Sequence, residues 1–165
     1  MKHTLTVLVE NKPGVLTRVA GLFARRGFNI ESLAVGESED PSLSRMTIVI
    51  DGAEHPIDQV TKQLHKLINV VKIRDLEAGN TVSSELLLVK VAAEGDKRND
   101  VLQIAEIFKA KIVDVDRRAL VLRVVGATDK LEALLGLLQP IGVLDVVRTG
   151  IIAFGRGRGS AAEPA

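Results

Sequence analysis

Two apolar spacings alternate along this chain, one of two residues and one of about 3.6, and they run through the same order twice. His3 to Val9 alternates, with Leu5, Val7 and Val9 on one face. Val15, Leu16, Val19, Leu22 and Phe23 then share a helical face, and Gly27 supplies a C-terminal stop. Phe28 to Val35 is extended again. Its apolar parity slips between Ile30 and Leu33, which predicts a bulge near Glu31-Ser32. Glu39-Asp40-Pro41-Ser42 reads as a turn, and Met46, Ile48 and Ile50 alternate after it. Pro56 opens a helix carrying Ile57, Val60, Leu64 and Leu67, and Val71 and Ile73 mark a strand ending near Leu76.

The order strand, helix, strand, strand, helix, strand then returns. Leu87, Val89 and Val91 alternate, and Val101, Leu102, Ala105 and Phe108 form a helical face. Ile112 to Val115 and Ala119 to Val125 read as a hairpin around Asp116-Arg117-Arg118. Thr128 or Asp129 is placed to cap a helix bearing Leu131, Leu134, Leu135 and Leu138. Gly142 ends it, and Val143 to Val147 is the final strand. The two copies share a plan without obvious sequence identity.

The expected fold class is therefore α+β, with two ferredoxin-like βαββαβ domains in tandem. Residues 1–76 form the first and 85–150 the second, joined by a polar linker over 77–84. Residues 151–165 extend the last strand and run into a tail, Gly155 to Ala165, expected to be disordered. Each domain has about 70–80 residues, a size at which a lone core is marginal. One sheet face is expected to lie open in each. Both points favour oligomers, with faces or edge strands covered by another copy.

Composition removes several function classes. Of 165 residues 46% are apolar but only 2% aromatic, so the core must be Val, Leu, Ile and Ala, and base-stacking sheets are disfavoured. A net charge of +1 predicts neither nucleic-acid nor membrane-surface binding. The absence of cysteine removes disulfides, thiolate catalysis and thiolate metal sites, and fits a reducing compartment. The N-terminal residues lack a signal-peptide pattern, and no apolar run reaches the ~20 residues that span a bilayer. A cytosolic protein is expected.

The stretch that carries chemistry is Asn11-Lys12-Pro13-Gly14-Val15-Leu16, between the first strand and the first helix. Asn11 can turn the chain through its side chain, Pro13 pre-sets a first helical turn, and Gly14 lets a ligand approach bare backbone. The free N–H groups of that turn attract a small anion such as a carboxylate. The same pattern also describes an ordinary tight strand-to-helix turn. Asn29, before Ile30 on an edge strand, reads either as a turn residue after Gly27 or as an amide offered to a ligand across a subunit boundary. With Leu16 and Ile30 beside them, the two asparagines suit a zwitterion with an aliphatic side chain. No nucleophile and base converge there. His3, His55 and His65 lack metal-ligand spacing, and Asp114 and Asp116 read as a hairpin end sooner than as a divalent-ion site.

The run Asn11 to Val19 resembles the opening of the ACT domain, a ferredoxin-like module that binds amino acids in metabolic regulators. Gly21 to Leu33 and Leu43-Ser44-Arg45-Met46-Thr47 resemble the small regulatory subunit of acetolactate synthase, and Glu106-Ile107-Phe108 with Lys111 to Val115 is similar to that subunit's C-terminal domain. The resemblance runs from about His3 to Gly150. It implies a non-catalytic chain with no cofactor of its own. Its partner would be a large subunit holding thiamine diphosphate, Mg²⁺ and FAD, which condenses pyruvate with a second 2-oxo acid. The small subunit would raise that activity and make it sensitive to valine. The resemblance implies an effector site between two ACT domains of a homodimer. Asn11, Pro13, Gly14, Val15 and Leu16 come from one subunit, and Asn29 and Ile30 from the other. A free-standing amino-acid sensor controlling another enzyme or transcription is the rival reading. No helix-turn-helix with a basic face supports its transcriptional form.

Overall fold

The structure, a computed structural model, describes residues 2–52 and 56–157. His55 and the tail beyond Gly157 lie outside the described residues. The chain divides into two compact units, one formed by Met1–Val82 with the segment that begins at Ile151, the other by Ser83–Gly150.

In the first unit the order is β1 (Lys2–Glu10), α1 (Val15–Arg25), β2 (Ile30–Glu37), β3 (Leu43–Asp51), α2 (Ile57–Leu64) and β4 (Val70–Leu76). The sheet is antiparallel with order β2-β3-β1-β4, so β2 and β4 are its edges. Leu5, Val7 and Val9 of β1 and Met46, Ile48 and Ile50 of β3 turn to one face. There they bury Val15, Val19, Leu22 and Phe23 of α1 and Val60 and Leu64 of α2. Phe23 and Phe28 meet edge to face at 6.2 Å. The slip of parity read near Glu31-Ser32 is a register shift between Ile30 and Ser32.

The second unit repeats the plan with β5 (Thr81–Ala92), α3 (Lys97–Ile107), β6 (Lys111–Val115), β7 (Ala119–Gly126), α4 (Thr128–Leu138) and β8 (Val143–Arg148). Its four strands run β6-β7-β5-β8. The duplication extends to the irregularities. The edge strand slips against its neighbour at Ile30/Ser32 in one unit and Ile112/Asp114 in the other, and the first strand slips against the last at Leu8/Val9 and Lys90/Val91. The fold class read from the sequence is the one observed.

Several local expectations are corrected. Residues 77–84, read as a linker, hold a 3-10 turn at Ala78–Asn80 and the first residues of β5, where β-branched Thr81 and Val82 favour extended backbone. Leu16 and Leu102, placed on helix core faces, are exposed. The buried stripes are Val15, Val19, Leu22 and Phe23, and Val101 with Ala105. Neither Thr128 nor Asp129 caps α4. Ala127 occupies that position, Thr128 is already helical, and the Asp129 carboxylate accepts from the Lys130 N–H.

The largest correction concerns the sheet face expected to be open in the first unit. A short strand, β9 (Ile152–Gly155), crosses it. Thr6, Thr47 and Val49, which point away from the helices, are buried, as is Ala153 of β9. The Ile151 N–H donates to Ser32 Oγ at 2.8 Å, Arg45 lies 5.7 Å from the centre of the Phe154 ring, and the Arg156 N–H donates to the Asn80 carbonyl. Gly155, placed in a disordered tail by its sequence, is the last residue of that strand.

Candidate functional site

β1 ends at Glu10, and after four intervening residues α1 begins at Val15 with Gly14 as its N-cap. Gly14 has φ +85, a left-handed conformation that disfavours any residue with a Cβ. A Cβ built there meets no atom within 4 Å, so the space above it is open. Pro13 therefore precedes the helix instead of starting it, because the turn at Gly14 does the reorienting. The Val15 N–H reaches the Lys12 carbonyl at 3.4 Å, and the Arg18 N–H donates to the Gly14 carbonyl at 3.1 Å. Among the described residues the N–H groups of Gly14, Leu16 and Thr17 find no acceptor in the protein, and all three residues are exposed. These are the orphan donors of a helix N-terminus. The Val15 side chain is buried in the core, so only its backbone faces the turn, whereas Leu16 is 44% exposed beside it.

Asn11 is braced from the β2–β3 turn. Its N–H donates to the Ser42 carbonyl at 2.8 Å and its Nδ2 to the Pro41 carbonyl at 3.0 Å. That turn is itself held by Asp40, whose Oδ1 accepts from the Ser42 hydroxyl at 2.7 Å and from the Ser42 N–H at 2.9 Å. The hydroxyl first, then the N–H, keep the Asp40 carboxyl below the ordinary 3.8. On the other side Asn69 joins the end of β1 to α1. Its carbonyl accepts from the Glu10 N–H at 2.8 Å and its Oδ1 from Arg18 Nη1 at 2.8 Å. Asp40, Ser42 and Asn69 escape sequence reasoning because no spacing links them to Asn11.

Because the folded carboxyl of Asp40 titrates lower than an unfolded one, its support of the turn is complete above the unfolded value and is lost as pH falls through the folded one. A proton titration followed by nuclear magnetic resonance is expected to place the Asp40 midpoint below 3.8, with the Ser42 amide shift moving in step. A midpoint at or above that value contradicts the arrangement.

Asn29 is exposed and immediately precedes β2, after Gly27 at φ +74 and buried Phe28. Ile30 packs partly against the core. The register separates this pair from Asn11. Ile30 lies opposite Ile50, and Ile50 opposite His3 at the start of β1, whereas Asn11 follows its end. Eight residues of extended chain at about 3.3 Å each put the two groups roughly 26 Å apart. The structure thus brings Asn11, Gly14 and Leu16 together at one end of the sheet and leaves Asn29 and Ile30 at the other. One protomer cannot close both around one amino acid.

The remaining candidates are structural. His3 pairs with Asp75 at 3.3 Å on the surface, and His65 is exposed. Asp116 accepts from the Arg118 N–H at 3.1 Å and closes the hairpin; that contact, then one from Arg117, lowers its carboxyl. Among the described residues no cluster of three or more His, Asp or Glu side chains could hold a metal ion, and no helix is long and apolar enough to cross a membrane.

Comparison with known proteins follows the same division. Residues 5–72 match the family model of the acetolactate synthase (AHAS) small subunit-like ACT domain, and residues 84–157 match that of the small subunit of acetolactate synthase. The chain is 53% identical to the acetolactate synthase small subunit of Mycobacterium leprae over 94% of this chain and 92% of that one. It is 50% identical to a probable acetolactate synthase small subunit of Archaeoglobus fulgidus over 95% and 98%. The crystal structure of the acetolactate synthase small subunit from Thermotoga maritima superposes with a TM-score of 0.86 at 44% identity, covering 96% of this chain and 99% of that one.

Proposed function

This chain belongs to the family of acetolactate synthase small subunits, which are regulatory, and from that premise we propose that it activates a catalytic large subunit and makes it respond to valine. The chemistry belongs to the partner, which would carry thiamine diphosphate, Mg²⁺ and FAD and work in the cytoplasm. Valine would be clasped between two copies of this chain.

The observation that carries the reading is the separation of the two half-sites along one edge strand. β2 is an edge, and its end at Glu37 lies opposite Ser44, which lies opposite Val9 near the Asn11 turn. If two copies pair antiparallel through β2 about a two-fold axis, the start of one β2 lies against the end of the other. That pairing carries Asn29 and Ile30 of one copy toward Asn11, Gly14 and Leu16 of the other. The valine carboxylate meets the backbone of the turn Gly14, Val15 and Leu16, where the N–H groups of Gly14 and Leu16 are open, and its ammonium meets the Asn11 Oδ1 or backbone oxygens around Asn29. The isopropyl group lies between Leu16 and Ile30. Valine, leucine and isoleucine differ by about 0.8 kcal/mol per methylene, roughly fourfold, so polarity alone separates them poorly.

Because the site is shared, valine binds one arrangement of the two copies more tightly than another, and only that difference reaches the catalytic partner. Tenfold inhibition needs about 1.4 kcal/mol of coupling. Reconstitution with the large subunit, assayed with and without valine, tests the reading: activity is expected to rise on adding this chain and to fall again with valine. No activation, or activation indifferent to every branched-chain amino acid, contradicts it. Asn29→Ala, which removes the amide offered to the ligand's charged groups from the second copy, is expected to weaken valine binding by at least about tenfold, the worth of one hydrogen bond to a charged group, while leaving activation intact; calorimetry on the full chain measures it.

A further inference from the structure

Between α1 and α2 the first unit has a cleft of about 510 Å³, and we propose that it binds a small phosphate ester. That volume lies within the ~300–1,000 Å³ of small-molecule sites. To its lining α1 contributes Arg25, its last residue, and Arg26, its C-cap, and α2 contributes Lys62. Among the described residues none of the three has an ion-pair partner, and no carboxylate lines the cleft. The dipole at the C-terminus of α1 favours Arg25 and Arg26 where they stand, but with only about half a charge. It does not explain why Lys62, from the other helix, shares their cleft.

The lining says what fills it. Three cations match the three terminal oxygens of one phosphate group, and guanidinium forks suit that geometry. Gln59 and Gln63, one turn apart on α2, offer amides to hydroxyl groups on the rest of the molecule. Phe28, 8% exposed, and Val60, fully buried, make the base of the cleft apolar. An acidic protein segment fits worse. A stable protein interface buries about 800 Å² per partner around an apolar centre, and no exposed large apolar residue lines this cleft. The cleft also adjoins the loop that carries Asn29. The N–H groups of Arg26 and Phe28 both donate to the Phe23 carbonyl, at 3.2 and 3.0 Å, and Asn29 follows Phe28 directly. A phosphate that grips Arg26 beside Phe28 reduces the freedom Asn29 must lose when valine binds, so each ligand strengthens the other by the same factor. That coupling rests on the valine reading; the phosphate site does not.

A nuclear magnetic resonance titration of the full chain with inorganic phosphate tests the site, with acetate at equal ionic strength as the comparison. The amide signals of Arg26 to Asn29 are expected to move with phosphate, at concentrations at least about tenfold lower than with acetate. Arg26→Gln and Lys62→Gln, which each remove a charge-assisted contact, are expected to weaken phosphate binding by at least about tenfold. Both positions are exposed, so circular dichroism is expected to show an unchanged fold. Gly14→Asp, outside the cleft, is expected to leave phosphate affinity within about twofold of the parent chain. Signals of Arg26 to Asn29 that stay still, glutamine variants that bind phosphate like the parent, or loss of phosphate binding in Gly14→Asp overturn the phosphate site, whatever valine does. Phosphate bound as expected by a chain that binds no valine overturns the valine reading and upholds the cleft. Phosphate that leaves valine affinity unchanged overturns the coupling.

Discussion

Replacing Gly14 by aspartate is expected to abolish the valine response while activation of the catalytic subunit persists. The carboxylate of valine is held there by charge-assisted hydrogen bonds worth about 1.5–3 kcal/mol each. Losing two of them raises the valine needed for half-inhibition by more than ~100-fold. The new side chain brings a negative charge to the place the ligand's carboxylate would occupy. A Cβ at Gly14 has nothing within 4 Å, so the side chain starts into open space. The variant therefore folds, although φ +85 costs it about 1–2 kcal/mol of local strain. Asparagine at the same position carries that strain without the charge and separates the two effects: Gly14→Asn is expected to keep part of the response. Undiminished inhibition in Gly14→Asp removes the site.

The second large effect is structural. A chain ended at Gly150 loses β9, and the helix-free face of the first sheet, where Thr6, Thr47 and Val49 are buried, opens to water. Burying one Val side chain is worth about 1.5–3 kcal/mol. Losing Val49's cover, Ala153 itself and the bond from Ile151 to Ser32 is expected to lower stability by at least ~2 kcal/mol. For a unit of this size that is roughly 8–16 °C in Tm. Ala153→Asp, which keeps the chain length but puts a charge into the same contact, is expected to act in the same direction. Thermal unfolding and hydrogen exchange at the β1 and β3 amides read both variants. Exchange unchanged from the parent chain shows that β9 does not protect that face.

The fold was largely legible because alternation and helical periodicity were unbroken. Leu5, Val7 and Val9 could face only one way, and even the slip between Ile30 and Leu33 marked the true bulge. What escaped had no periodic trace. Ile152 to Gly155 is too short to show alternation, and its role comes from a face more than 100 positions away in sequence, as the bond from Ile151 to Ser32 illustrates. Leu16 lies about 100° around the helix from Val15, at the margin of an apolar arc of about that width, so its apolar type does not tell which side of the margin it falls on; the structure leaves it exposed. Of the site, residue types and turn chemistry at Asn11 and Gly14 were visible. Its brace from Asp40, Ser42 and Asn69 was not, and neither was the distance between Asn11 and Asn29, which only strand register supplies.

That distance sets the decisive experiment. If each valine is shared, an assembly mixed from Gly14→Asp chains and Asn29→Ala chains contains dimers with one intact site, built from the normal Gly14 turn of one chain and the normal Asn29 of the other. Calorimetry on purified mixed dimers is expected to recover half the valine sites at close to the parent affinity. Mixed dimers that bind no better than the two single variants contradict a site shared between copies.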